Sequence, residues 1–236
     1  LRDHLDVLLP VLDGQVVPGA TGVGSDAAST TVAGAVPRVP VLLGALGPMM
    51  LRLAGERTDG TITFLAGPRT IGEHVVPLLS RAAEDAGRPR PRVVAGLPVV
   101  VTSSPDRVRA QVAQEYEPLA ALPSYRTALD RDGFDNGGAM VIAGDEDTVA
   151  AELSRYAGLG VTDALISLVG EPAARQRTLQ LLGHLAADHP TVPSGAPRPQ
   201  PGSRRGAISG RSTREATSAT SASTAESRIP TEKPRR

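Results

Sequence analysis

Leu5, Leu8, Leu9 and Leu12 recur at helical spacing and stop at Gly14, so residues 1–13 read as the end of a helix. The periodicity then lapses. Residues 14–37 are rich in Gly, Ala, Ser and Thr and read as a long loop. From Pro40 the chain changes character, with short apolar runs alternating with helical ones. Val41–Ala45 is a predicted strand followed by a helix from Pro48 to Arg57. Thr61–Leu65 is a second strand, followed by a helical stretch from Thr70 to Ala86 with a kink expected at Pro77. Val93–Thr102 is a third. Ser104-Pro105 supplies an N-cap and a proline for the first helical position, and Val108, Val112, Tyr116 and Leu119 mark one apolar face beyond it. Residues 123–138 read as an irregular insertion. Ala139–Ala143 is apolar and extended, Asp145 caps a helix to Gly158, and Asp163–Val169 is the last strand. Pro172 opens a final helix whose apolar positions are Leu179, Leu182 and Leu185.

These strands are nearly continuous apolar runs, the mark of a parallel sheet covered on its faces. Right-handed crossovers between such units build either an open doubly wound sheet or a (β/α) barrel. An eight-unit barrel takes about 250 residues, and here about 150 supply four clear units. The predicted fold class is therefore α/β, the C-terminal half of a TIM-like (β/α)8 barrel. The expected division is a helix end and loop over 1–38, a partial barrel over 39–188, and a tail over 189–236. Leu1-Arg2-Asp3-His4 begins in mid-pattern, so the chain reads as a fragment whose upstream half carries the rest of the barrel.

Composition narrows the chemistry. The 236 residues contain no Cys and no Trp, which excludes a disulfide scaffold and thiolate chemistry. The 25 basic and 25 acidic side chains cancel, but unevenly. Residues 189–236 hold nine basic side chains against Glu215, Glu226 and Glu232, so the tail is basic and the body acidic. That tail has almost no large apolar side chain and is expected to be disordered. Overall neutrality argues against specific nucleic-acid binding. The longest apolar run, Val39–Leu51, is broken by Pro40, Gly44, Gly47 and Pro48, so no membrane span is expected. Basic residues are almost all Arg, which suggests a GC-rich bacterial coding sequence and, with no signal peptide legible, a cytoplasmic protein.

Chemistry in a β/α fold gathers in the loops after the strands' C-terminal ends. The first such loop, Gly44-Ala45-Leu46-Gly47-Pro48-Met49-Met50, has two glycines that let a ligand approach backbone and a proline pre-set for a helix start. Free N–H groups and the helix dipole would favour a phosphate there. Gly22–Ala27 spells G-x-G-x-x-A but has neither the strand before it nor the helix after it that a dinucleotide fingerprint requires. His4, His74, His184 and His189 form no metal-spaced pair and read as structural. Asp59-Gly60 lies just before a strand and reads as a turn. No Ser/His/Asp triad, P-loop or carboxylate pair is legible, so the catalytic group stays unknown.

Residues 39–60, VPVLLGALGPMMLRLAGERTDG, continued by Thr61–Phe64 and LAGPRT at 65–70, closely resemble the luciferase-like monooxygenase superfamily, in particular its deazaflavin (coenzyme F420)-dependent oxidoreductases. VIAGDEDT at 141–148 and YAGLGVTD at 156–163 resemble the same family near its last barrel strand. The resemblance implies a TIM-like barrel with coenzyme F420, or alternatively FMN, at the C-terminal face. It places the phosphate-bearing tail on Ala45, Leu46, Gly47 and Met49, with Leu46 standing where relatives often have a small residue. It implies a small-molecule substrate lined by Phe64, with Arg69 as anion ligand, and assigns Arg177, beside Arg175, to a region where some members place a substrate arginine.

The implied activity is hydride transfer between an organic substrate and the deazaflavin. Two alternatives stand beside it: an FMN-dependent monooxygenase of the same class, and a truncated product without catalysis. The resemblance also leaves room for a homo-oligomer of the full-length parent. Taken alone, the fragment is expected to be inactive, because the residues facing the reactive ring would lie upstream.

Overall fold

The computed structural model describes residues 1–15 and 39–188. Most of the expected loop, the G-x-G-x-x-A at 22–27, His189 and the basic tail lie outside the described residues.

Helix α1 (Arg2–Leu12) buries Leu5 and Leu9 against Leu53, with Val41, Leu43 and Met50 closing the cluster. Three strand–helix units follow: β1 (Leu42–Gly44) with α2 (Pro48–Arg57), β2 (Gly60–Phe64) with α3 (Val76–Asp85), and β3 (Arg92–Val101) with α4 (Pro105–Glu115). A π-helical turn, Thr70–Val75, runs directly into α3. The expected break at Pro77 takes the form of a change in winding, with Pro77 in the first turn of α3, where the π-helical turn gives way to α-helix. Two short helices, α5 (Glu117–Ala120) and α6 (Pro123–Asp132), lead through a 3₁₀ turn at Gly137–Met140 to β4 (Ile142–Gly144) and α7 (Glu146–Gly158). The chain continues with β5 (Asp163–Leu168) and α8 (Pro172–Asp188). Asp145 caps α7 as expected, its carboxylate accepting the Thr148 amide at 2.9 Å.

All strand pairs are parallel. β3 organises the sheet. Residues 94–96 pair with both β2 and β5, so those two strands flank β3 on opposite sides. Val99 pairs with both β5 and β4, which puts β4 on the side of β2, beyond its end. Pro98 falls in the gap. On that edge β2 stops at Gly96 and β4 starts at Val99, so the missing N–H of Pro98 interrupts no ladder bond. On the opposite edge β5 ends at Leu168, and the buried Thr178 hydroxyl of α8 accepts the Val101 amide at 2.8 Å in place of a further strand.

Alternation along the strands divides the sheet into two faces. Ala95, Leu97, Val99 and Val101 pack under the helices against Ile71, Val149 and Tyr156. The other face carries Ile62, Phe64, Val94, Gly96, Pro98 and Leu165; Leu165 is 52% exposed, while β3 is buried on both faces. At the strands' N-terminal end this face holds Arg92, which donates to both Asp163 carboxylate oxygens at 3.1 and 2.6 Å. These hydrogen bonds hold the Asp163 carboxyl below its usual range. A depressed carboxylate contributes stability above its unfolded value that is lost as pH falls through the folded one. Both partners are more than a third exposed, so the expected contribution is under about 1 kcal/mol. Urea midpoints of wild type and Asp163→Asn should converge on acidification below about pH 4, and a constant gap down to pH 2 would refute the assignment.

Three expectations need correction. Residues 123–138 are not irregular: α6 fills much of that stretch, with Pro123 at its start and Gly133 in the left-handed conformation (φ 75°) just past its end. Ala139 and Met140 belong to the 3₁₀ turn rather than to a strand. In α8 the anchoring residue is Thr178, fully buried, while Leu179 is 49% exposed and Leu181 packs against the core instead.

Candidate functional site

The loop after β1 turns directly into α2. Gly47 is the N-cap residue in extended conformation (φ −79°, ψ 152°), no side chain caps the helix, and Pro48 has no N–H to satisfy. The first-turn amides of Met49 and Met50 therefore point with the helix dipole toward the open side of the turn. Met49 itself is 77% exposed.

The glycines single out this loop. A Cβ on Gly55 would strike the Leu79 carbonyl, one on Gly67 the Asp132 carboxylate, and one on Gly138 the Arg109 carbonyl. Packing explains each of them. Gly44 and Gly47 differ: neither has a positive φ, and no heavy atom lies within 4 Å of the Cβ that either lacks. Among the described glycines outside helices, these two alone are required neither by conformation nor by the protein's own packing. Ala45, between them, is buried, and the Leu46 side chain packs into the helix-side core, so a larger residue at 46 does not block the open side. Of the four residues expected to hold the phosphate, Ala45 has its amide on the Ile62 carbonyl at 3.3 Å, while Gly47 and Met49 lie at the start of α2, where backbone N–H groups have no partner within the helix.

His74, on the π-helical turn, places Nε2 3.0 Å from the Leu46 carbonyl oxygen. Burial lowers its pKa, the hydrogen bond to Leu46 opposes that, and the Arg131 cation lowers it further. The ring is accordingly neutral near pH 7, with Nε2–H donating to the carbonyl. No local spacing signals this contact, which joins residues 28 apart in the chain.

The loop after β2 is held in an unusual shape. Leu65 has φ 49°, the one described non-glycine residue in the left-handed region, and is fully buried among Ala120, Leu129 and Met140. Strain of that kind persists only where packing over-determines it. Asp132, at the end of α6, accepts the amides of Gly67 at 2.9 Å, Arg69 at 2.8 Å and Thr70 at 3.1 Å. The Thr70 hydroxyl donates to the Ala128 carbonyl at 3.0 Å. α6 thus clamps the loop from Leu65 to Thr70, a role its sequence position does not announce.

Of the three residues expected to face substrate, Phe64 is half-buried, packed against the cluster of Leu65, Ala120, Leu129 and Met140, its ring meeting Tyr116 edge-on at 5.5 Å. Arg69 and Arg177 each lie beside a glutamate at the surface. The Arg69 side chain is 60% exposed and lies 3.8 Å from Glu73, while Arg177 pairs with Glu146 at 2.7 Å across α8 and α7. Arg175 donates to the Gly170 carbonyl. His4 and His184 are exposed. Asp59 accepts the Val41 amide at 2.9 Å, and Gly60 has φ 152°, which fits their reading as a turn at the strands' N-terminal end. Among the described residues no three His, Cys, Asp or Glu side chains gather as a metal site, and no helix is long and apolar enough to cross a membrane.

Comparison with known proteins gives this geometry a context. The chain is 27% identical over 180 residues to the 5,10-methylenetetrahydromethanopterin reductase of Methanopyrus kandleri, a match covering 64% of this chain and 50% of the relative. The chain spans about half the length of the curated relatives it matches. Among solved structures, the coenzyme F420-dependent tetrahydromethanopterin reductase of Methanopyrus kandleri superposes with a TM-score of 0.53 at 23% identity, over 80% of this chain and 62% of that one. The oxygenating constituent of 3,6-diketocamphane monooxygenase from Pseudomonas putida, a type II Baeyer–Villiger monooxygenase in complex with FMN, also gives 0.53, at 15% identity, over 81% and 63%. At these identities the likeness establishes the fold, the parallel α/β arrangement of luciferase-like enzymes. The luciferase-like monooxygenase family model matches residues 1–163, most of the described chain, and the protein belongs to that family.

Proposed function

We propose that the Gly44–Met50 turn holds the phosphate-bearing tail of coenzyme F420, and that the chain serves an oxidoreductase passing hydride between an organic substrate and the deazaflavin. The observation that carries this reading is the pair of glycines, 44 and 47, whose bareness the protein itself does not need. Deazaflavin, when bound, supplies the two-electron chemistry, and the protein supplies binding and orientation. Gly47 N–H and the first-turn amides of α2 would take the phosphate. Phe64, with Ile62 and Leu165 on the same face, offers an apolar wall to a ring or substrate. Both solved relatives share the fold equally, so the choice of deazaflavin over FMN leans on the curated reductase relatives.

Gly47→Val tests it. Valine is at home at φ −79°, ψ 152°, and among the described residues outside its chain neighbours no heavy atom lies within 4 Å of the Cβ it adds. The thermal midpoint should move by no more than about 2 °C, while F420 affinity, followed by coenzyme fluorescence, should fall by about tenfold or more. Unchanged affinity would mean a purely structural turn. A parallel titration with FMN decides between the coenzymes, and tighter FMN binding would favour the monooxygenase alternative.

A further inference from the structure

We propose that His74 is a positioning residue for the anion-binding turn: by holding the Leu46 carbonyl it sets the direction of the Gly47 N–H. The inference rests on the reading of Gly44–Met50 as the seat of the coenzyme's phosphate. A trans peptide fixes its C=O and N–H in opposite directions. The Leu46 carbonyl meets Nε2 at 3.0 Å, on the side of the π-helical turn, so the N–H of Gly47 points the other way. The extended Gly47 and its empty Cβ position leave that direction open, on the side where the Met49 and Met50 amides begin α2.

Among the described residues the imidazole is the one side chain that bonds this peptide. Gly47 carries no side chain, no side chain caps α2, and the other bonds fall on the neighbouring peptides: the Ala45 amide to Ile62 at 3.3 Å, the Thr61 hydroxyl to the Ala45 carbonyl at 3.5 Å, and the Leu51 amide to the Gly47 carbonyl at 3.0 Å. The π-helical winding over Thr70–Val75 places His74 in reach. The winding is itself anchored at its start, where Asp132 accepts the amides of Arg69 and Thr70. One chain of contacts therefore runs from α6 through the loop after β2 to the loop after β1, and it ends on the peptide that would meet the phosphate.

The test compares two ligands on the full chain: coenzyme F420, and its phosphate-free deazaflavin chromophore. His74→Leu should weaken F420 by about tenfold and leave the chromophore within about twofold. His74→Gln, whose amide N–H can reach the same carbonyl, should keep F420 within about threefold of wild type. Equal F420 affinity in His74→Leu and wild type overturns the inference alone. A wild type that binds F420 no better than the chromophore overturns the reading of the turn as a phosphate site.

Should His74→Leu fail to fold, amide NMR of the unmodified chain decides. Added inorganic phosphate should shift the Gly47 amide and the His74 ring signal together. A Gly47 amide that shifts while the His74 ring does not would refute the coupling.

Discussion

Asp132→Leu is expected to lower the thermal midpoint by roughly 6–12 °C, the equivalent of about 3 kcal/mol for a chain of this length. Asp132 is 9% exposed, and its carboxylate accepts three amides, from Gly67, Arg69 and Thr70. Leucine fills similar space but accepts none, so three donors at the start of the π-helical turn lose their partner at about 1 kcal/mol or more each. Water cannot readily replace them, because Gly67 lies against the carboxylate closely enough that a Cβ there would come within 2.4–2.7 Å of its atoms.

Asp132→Asn should fall between. One amide oxygen can keep Arg69 and Thr70, but the NH₂ group then faces the Gly67 N–H, donor against donor. Thermal unfolding followed by circular dichroism measures both variants, and hydrogen exchange at Gly67, Arg69 and Thr70 reports the loop itself. A midpoint for Asp132→Leu within about 2 °C of wild type would show that the clamp contributes little.

The elements with a local signature were legible, and the ones that depend on partners were not. β2, β3 and β5 were legible to within a residue or two, β3 most plainly, because burial on both faces leaves its run from Val93 to Val101 without a polar residue, whereas Thr61 and Thr63 interrupt β2 and Ser167 interrupts β5. Ala139 and Met140 are equally apolar yet wind into a 3₁₀ turn, since a short apolar run carries no period of its own. α6 carried proline at its start and glycine beyond its end, but its ten residues bury only Ala128, Leu129 and Asp132, too thin a stripe to read as periodic.

Pro98 was visible inside a predicted strand, while its reason was not. Only the pairing of β2 and β4 in succession along one edge makes the missing N–H harmless. The turn after β1 was legible because Gly, Gly and Pro have meaning in themselves. Its supports were not: His74 meets Leu46 across 28 residues and Asp132 meets Gly67 across 65, contacts that no spacing rule foreshadows.

Gly96→Val is expected to cost about 2–3 kcal/mol and to displace Phe64, which would change the wall proposed for substrate. Gly96 pairs with Phe64 in the β2–β3 register, and a Cβ on it would lie 2.8 Å from Phe64 Cδ2 and 2.8 Å from the Thr63 carbonyl oxygen. The two obstacles differ in kind. The ring can swing away, at the cost of its edge-on contact with Tyr116, whereas the Thr63 carbonyl belongs to the ladder and can move only with β2. A double-mutant cycle separates them. If the ring dominates, Gly96→Ala should be nearly neutral in a Phe64→Ala background; if the carbonyl dominates, the cost of Gly96→Ala is the same in both backgrounds. The chain has no Trp, so its emission comes from Tyr116, Tyr125 and Tyr156; the part that a Tyr116→Phe substitution removes reports on Tyr116, and it should change in Gly96→Val. A Gly96→Val protein with wild-type stability and unaltered tyrosine emission would mean that β2 and β3 can part at this point, and that Phe64 is not fixed by the sheet as the structure places it.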